Sequence, residues 1–267
     1  MRQRIVSVPV LRAPALLPVL LTLLLALPAC SGSPAAPSDP GTSASRPLPR
    51  VSAAPGFTVT GVHPVAANGS QDTYAQAGTA ACDSAQLTTD KILGNQIASG
   101  FAAADFPAGA QLLRHFLAGN GTAINYPTGS RISQLAIASS AFQAVNEQVQ
   151  AAVARLLRAG DTRVKLSAGQ LPTVTFGDTK SDLYWGFRGT QGLSVTGSGS
   201  RESGKYVGTL TYVIRDSYGF PVNDTLDGFG PPMRYLQTVC GAPRYPGGAH
   251  WFPDSITVTV PFGQPAG

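Results

Sequence analysis

Residues 183–220 read LYWGFRGTQGLSVTGSGSRESGKYVGTLTYVIRDSYGF. Two strand-like runs, 183–196 and 206–216, flank a polar Gly/Ser turn. In the second run Val207, Thr209, Thr211 and Val213 alternate with Tyr206, Gly208, Leu210, Tyr212 and Ile214. Period 2 in β-branched and aromatic residues is the pattern of a strand with one face buried. Asp216-Ser217-Tyr218-Gly219 carries turn chemistry and is expected to end the strand. This hairpin is predicted to be the centre of the folded domain.

The flanking segments set the fold class. Towards the C-terminus, Pro231-Pro232 opens a short helix with Met233, Leu236 and Cys240 on one side. Ile256, Val258 and Val260 then alternate with Ser255, Thr257 and Thr259, a strand predicted to stop at Pro261. Towards the N-terminus, 163–166 and 173–176 are short strand candidates. Leu135, Phe142, Val145, Val149, Val153 and Leu156 mark one face of a 3.6-residue period, which predicts one long amphipathic helix over 131–159, N-capped by Ser130. Further helices are expected at 87–104, with Ile92, Ile97 and Phe101 apolar, and at 107–117, closed by Gly119-Asn120-Gly121. Phe57 to Val62 is a short strand and 64–80 is loop-like. Helices first and strands afterwards predict an α+β domain: N-terminal helices packed on a largely antiparallel C-terminal sheet.

The first 56 residues have another character. Arg2, Arg4 and Arg12 precede an apolar run from Leu16 to Leu27, followed by Pro28-Ala29-Cys30. A basic start, a short apolar run and small residues before a cut describe an export signal over 1–29. Leu27-Pro28-Ala29-Cys30 resembles a bacterial lipobox, with Pro28 an unusual residue in it; the resemblance implies lipidation at Cys30 and a membrane anchor. Residues 30–56 are Pro/Ser/Ala-rich without apolar periodicity, a linker that reaches about 25–30 Å as a coil. Residues 57–267 are left as the single folded domain.

Composition narrows the partners. The 267 residues carry 19 Lys+Arg against 14 Asp+Glu; losing the leader removes three Arg, leaving 16 against 14 and a formal charge of +2. With no Lys/Arg cluster this gives no nucleic-acid footprint. Of three cysteines, lipidation of Cys30 leaves Cys82 and Cys240 as an even pair in an oxidising compartment. A disulfide between them closes a loop of roughly 160 residues, for which loop entropy gives on the order of 4–5 kcal/mol as an upper figure.

His115-Phe116-Leu117-Ala118-Gly119-Asn120-Gly121-Thr122 resembles the H-x-x-x-G-N-G opening of an uncharacterised domain family found in exported, secretion-system-linked proteins of Gram-negative bacteria. Gly189-Thr190-Gln191 and 206–219 are similar to the family's Gly-Thr-Gln strand and its segment ending D-H-F-G. The resemblance covers 111–260 in order. It implies an α+β fold and an exported setting, and no activity. The family's histidine before the aromatic is Ser217 here, so no catalytic role at that position carries over.

Chemistry is sparse. His63, His115 and His250 lie in no metal spacing, and no cofactor loop or nucleophile elbow is present. His115 is expected to cap or pack at a helix C-terminus. Glu147 and Glu202 are the only glutamates, and Asp178, Asp182, Asp216, Asp224 and Asp227 fall near strand ends or in loops. No metal ligands, cofactor or catalytic set are therefore assigned. Two aromatic groups offer a recognition surface: Tyr184, Trp185 and Arg188, with Phe187 beside them, and Tyr245, His250, Trp251 and Phe252 in a Pro/Gly-rich loop. The expected function is a lipid-anchored extracytoplasmic protein that binds an envelope protein or ligand. The alternative is a secretion-linked toxin or hydrolase acting on envelope material.

Overall fold

The computed structural model describes residues 56–63, 81–188, 192–220, 228–241 and 244–266, all within one compact unit, Val51–Gly267. The export signal, Cys30, the linker and the segment 64–80 lie outside the described residues.

Six strands form one sheet in the order β2-β6-β5-β4-β1-β3. They are β1 (Phe57–His63), β2 (Ile124–Tyr126), β3 (Arg163–Leu166), β4 (Gly192–Glu202), β5 (Lys205–Tyr218) and β6 (Phe252–Pro265). The inner pairs β1–β4, β4–β5 and β5–β6 are antiparallel; the edge strands β3 and β2 join in parallel. The helices are α1 (Ser84–Ala103), α2 (Pro107–Ala118), α3 (Arg131–Ala138), α4 (Ser140–Arg158), α5 (Asp182–Phe187) and α6 (Gly230–Thr238). This is the α+β class that the order of elements predicts.

The central hairpin is longer and tighter than its sequence suggests. Glu202 pairs with Lys205, and the two-residue loop places Ser203 at φ 47° and Gly204 at φ 72°. Positive φ at both loop positions is the type I′ requirement, and the twist of that turn matches the twist of the strands. Gly197-Ser198-Gly199-Ser200, predicted as the turn, is strand. Gly199 is there for space: a Cβ on it would lie 2.1 Å from the Val207 carbonyl oxygen and 2.6 Å from the Phe57 ring. The N-terminal part of the predicted first strand, 183–187, instead belongs to helix α5, with Ser181 Oγ accepting from the Leu183 amide at 3.3 Å. A short apolar run fits either element.

The expected single helix over 131–159 is two. Ser139, at φ −74° and ψ 138°, ends α3 and caps α4; its Oγ accepts from the Phe142 amide at 3.2 Å and donates to the Ala136 carbonyl at 2.8 Å. Leu135 stands seven residues before Phe142, so the sequence period does not reveal the break, but the residues that α3 buries are Ile132, Ser133 and Ala136, with Leu135 half-buried. Residues 173–176 form no strand: Val174 and Phe176 are buried in alternation, but the segment has no ladder partner. β5 continues through Asp216 and Ser217, the predicted turn, to Tyr218. β6 runs through Pro261, because β2 pairs only with 254–256 and leaves that edge open; the Pro261 carbonyl accepts from Gln150 Nε2 at 3.3 Å. Of the apolar residues named for α1, Ile92 is 55% exposed, while Ile97 and Phe101 pack against the core.

The core lies between the sheet and the helices. Phe142, Val145, Val149, Val153 and Leu157 of α4 are buried over Leu210, Tyr212 and Val195. Phe142 meets Tyr212 edge to face at 5.2 Å, and the buried Tyr212 hydroxyl donates to Asn146 Oδ1 at 2.9 Å. Cys82 and Cys240 form a disulfide with their Cα atoms 5.0 Å apart. It joins the start of α1 to the end of α6, tying the N-terminal helices to the C-terminal half of the chain. The Tyr235 hydroxyl adds a second tie, accepting from the Asp83 amide at 2.9 Å, while Asp83 Oδ1 caps α1.

Candidate functional site

Alternation gives the sheet two unlike faces. One is the apolar floor of the core. The other carries Thr58, Thr60, Thr196, Ser198 and Thr209, all exposed, with Thr211, Val213, Thr257 and Thr259 half-buried among their neighbours. None of the described helices packs on this open face, an arrangement that antiparallel sheets permit.

Register aligns the hydroxyls in rows across the strands. Lys165 of β3 lies opposite Thr60, Thr60 opposite Thr196, Thr196 opposite Thr211, and Thr211 opposite Thr259. Thr211 and Thr259 hydroxyls are 3.1 Å apart, and Thr128 continues the row at 3.2 Å from Thr259. A second row runs Arg163, Thr58, Ser198, Thr209, Pro261. Rows of neighbours are about 4.8 Å apart from strand to strand, so the face is a regular grid of hydroxyls edged by Arg163 and Lys165.

At the far end of β5 and β6 the grid opens into a cavity of about 220 Å³, lined by Asn125, Arg215, Asp216, Ser217, Pro253, Asp254 and Ser255. The odd-numbered residues of this set share the open face with the threonines, since each stands an even number of places along its strand from Thr211 or Thr257, or, for Asn125, opposite Ser255. Arg215 Nη1 donates to Ser194 Oγ at 2.9 Å, and Ser255 Oγ donates to Asn125 Oδ1 at 2.7 Å.

Asp216 and Asp254 face each other in the β5–β6 register, on the covered side of the sheet. They are 8% and 2% exposed. Neither oxygen of the Asp254 carboxyl has a hydrogen-bond partner among the described residues. Burial, reinforced by the nearby charge of Asp216, holds its pKa well above the usual carboxylate range. Tyr126 is pushed up by burial and then by the charges of Asp254 and Asp182; its hydroxyl donates to Gln111 Oε1 at 3.1 Å. Asp182 is satisfied, its two oxygens accepting from the Ala108 and Gly109 amides at 2.9 and 2.8 Å at the start of α2.

The H-x-x-x-G-N-G stretch builds a rigid turn. Gly119 closes α2 at φ 73°, Asn120 Oδ1 accepts from the Thr122 amide and hydroxyl, and Gly121 at φ 66° lies against the His250 ring. His115 Nε2 donates to the Thr122 carbonyl at 2.8 Å, so this histidine braces the turn as expected of a capping residue. His250 Nδ1 donates to the Trp251 carbonyl, and His63 Nδ1 to the Leu171 carbonyl. Among the described residues no three His, Cys, Asp or Glu side chains gather as a metal site.

The two aromatic groups named from sequence prove to be ends of one packed seam. Trp185 lies 4.9 Å from Phe101 and 6.5 Å from Phe229; Phe229 meets Phe220 at 5.9 Å, Phe220 meets Tyr218 at 6.0 Å, and Tyr218 stacks on Phe252 at 5.5 Å. Phe252 and Phe187 are fully buried and leave the expected recognition surface. Tyr184, Trp185, Arg188, Tyr245, His250 and Trp251 are half-buried. Arg188 lies over the Tyr184 ring at 5.5 Å, and Trp185 Nε1 donates to the Thr179 carbonyl at 3.1 Å. Sequence reading missed the grid, the Arg215 cavity and Asp254. The signal for the last is present: Phe252-x-Asp254-x-Ile256-x-Val258 sets an acid at an inward position of an alternating strand.

Compared with models of known families, with curated proteins and with solved structures, the chain finds no match.

Proposed function

We propose that the protein is a lipid-anchored, extracytoplasmic binding protein whose open sheet face engages material of the cell envelope. The observation that carries this reading is the grid of exposed and half-buried Thr and Ser side chains on β1, β4, β5 and β6, which none of the described helices covers and which ends in the Arg215 cavity. Such a face offers many donors and acceptors on rigid strands and few apolar groups, which suits a hydroxylated ligand better than an oily one. The Cys82–Cys240 disulfide supports an oxidising compartment. No helix among the described residues is long and apolar enough to cross a membrane.

The test is co-sedimentation of the mature chain, made with Cys30→Ala so that no acyl chain anchors it, with lipid-extracted bacterial envelopes, wild type here meaning the unaltered grid. Wild type is expected to pellet with them. Thr60→Arg and Thr196→Arg, which raise bulk on the grid without touching the core, are expected to lower the bound fraction about tenfold at unchanged melting temperature. Failure of the wild type to pellet, or full binding by both variants, contradicts the reading. Lipidation is checked separately: Cys30→Ala is expected to release the protein from membranes or leave it uncleaved, and aqueous partitioning of the wild type in detergent contradicts it.

The hydrolase alternative rests on Asp216 and Asp254 alone. Both side chains lie on the covered side, so the binding reading is preferred.

A further inference from the structure

We infer that the cavity at the end of the hydroxyl grid is an oxyanion site, in which Arg215 and Asn125 receive a carboxylate or phosphate carried by a hydroxylated ligand. The inference rests on the open face being the binding surface and adds what the ligand must carry.

The hydrogen-bond directions make the cavity rich in donors. Ser255 Oγ occupies the Asn125 carbonyl oxygen at 2.7 Å, which leaves the Asn125 amide N–H pair as the part that can serve a ligand. Ser194 Oγ takes one N–H of Arg215 Nη1 at 2.9 Å and steadies the guanidinium. The rest of its five-donor fork is uncommitted to any carboxylate: among the described residues the one Arg–carboxylate ion pair is Arg131–Asp105. A planar fork beside an amide donor matches the two oxygens of a carboxylate or phosphate edge.

Local charge favours the same ligand. Asp216 and Asp254 are the acids bordering the cavity, and both direct their side chains to the covered face. Burial, and then the Asp216 charge, raise the Asp254 pKa well above the ordinary carboxylate value, which disfavours its charged form beside the cavity. Both acids therefore lie behind the sheet from the guanidinium, on the face opposite the one a ligand meets.

The size sets the group that enters. About 220 Å³ is below the roughly 300–1,000 Å³ of pockets that enclose drug-sized molecules. It holds one acidic group or one ring, and the remainder of a longer ligand extends over the grid. Going from Arg215 along β5, Val213, Thr211 and Thr209 follow on the same face, in register with Ser194, Thr196 and Ser198 of β4. An acidic residue in a chain of sugars or polyols fits this layout: the acid in the cavity, its hydroxyls on the threonines.

The experiment is calorimetric titration of the mature full-length protein with glucuronate, with glycerol 1-phosphate and with glucose. Saturable binding of at least one anion is expected, with glucose at least tenfold weaker. Arg215→Gln and Asn125→Asp are each expected to weaken the anion at least tenfold, with melting temperatures checked beside wild type; Arg215→Lys, which keeps the charge and the stem, stands in if Arg215→Gln does not fold. Preference for glucuronate assigns a carboxylated sugar, and preference for glycerol phosphate a polyol phosphate. Anions that bind no better than glucose, or an affinity untouched by both Arg215→Gln and Asn125→Asp, overturn the inference. Envelope pelleting unaffected by Arg215→Gln removes this site while leaving the grid as the binding face. Anion binding through Arg215 without envelope pelleting removes the wider reading instead.

Discussion

The two faces of the sheet are made by the same strands, residue by residue, and yet they obey different rules. On β5, Leu210, Tyr212 and Ile214 are fully buried, while Thr209, Thr211 and Val213 between them face outward. On the covered face, side-chain volume decides what is tolerated. On the open face, the Thr128, Thr211 and Thr259 hydroxyls meet each other, and side-chain volume is least constrained at the exposed Thr58, Thr60, Thr196, Ser198 and Thr209. The covered face has a discord at its end, the Asp216–Asp254 pair, and the open face carries Arg215 directly beside it in sequence, with Arg163 and Lys165 along its β3 edge. Shape holds the fold together on one side, and the other side is left to vary for binding.

Adjacent substitutions break the comparison most sharply. Leu210→Ala is expected to cost about 2–5 kcal/mol, since it empties a fully buried site, while Thr209→Ala next to it changes stability by about 0.5 kcal/mol or less. Urea titration of the two variants reads this directly, and similar losses would mean that the open face is packed.

Removing the disulfide tests the helical layer behind the covered face. Cys82→Ser with Cys240→Ser is expected to lower stability by about 2–5 kcal/mol while far-ultraviolet circular dichroism stays native. Intact-mass analysis with a thiol-blocking reagent is the companion check. In wild type without reductant, neither Cys82 nor Cys240 takes up a blocking group.

The acid pair sharpens the comparison through pH. Asp254 has a folded-state pKa raised above its unfolded value of about 3.9. A raised carboxyl binds its proton more tightly when folded, so its contribution is fully present below pH ~3.9 and is lost as pH rises towards the folded value. Asp254→Asn removes that loss. The variant is expected to melt above wild type at pH 7, with the gap closing as pH falls through 4. A variant that melts below wild type at pH 7 would show that the fold uses the charged carboxylate.

The hairpin loop gives the smallest effect. Ser203 holds φ 47° without being glycine. Ser203→Asn, a residue that type I′ loops favour, is expected to add a few tenths of a kcal/mol. Gly204→Ala, at φ 72° with open space around its Cβ, costs about 1 kcal/mol through backbone strain alone. Thermal melts of the pair measure both.

Much of this architecture is legible in the chain. The alternation of β5 and β6, the Pro-led starts of α2 and α6, and the glycine stop at Gly119 follow from local rules. What is not legible depends on distant partners. Residues 182–187 become helix because Asp182 serves the α2 amides and Ser181 caps the turn, and 173–176 fail as strand because no neighbour lies beside them. The glycines at 197 and 199 read as a turn until Phe57 is seen over Gly199. The binding face is the hardest to read, since its Thr rows exist only once β1, β4, β5 and β6 stand in register. The aromatic groups suggested recognition from composition, while packing had already consumed Phe187 and Phe252.

The central claim, that the open face and not the helical side meets the envelope, is tested most directly by site-specific photocrosslinking. A benzophenone side chain is placed at Thr196 on the grid in one protein and at Ile92, exposed on α1, in another, and each is illuminated on isolated envelopes. Adducts from position 196 and none from position 92 are predicted. Adducts from position 92 with none from 196, or equal yields from both, would contradict it.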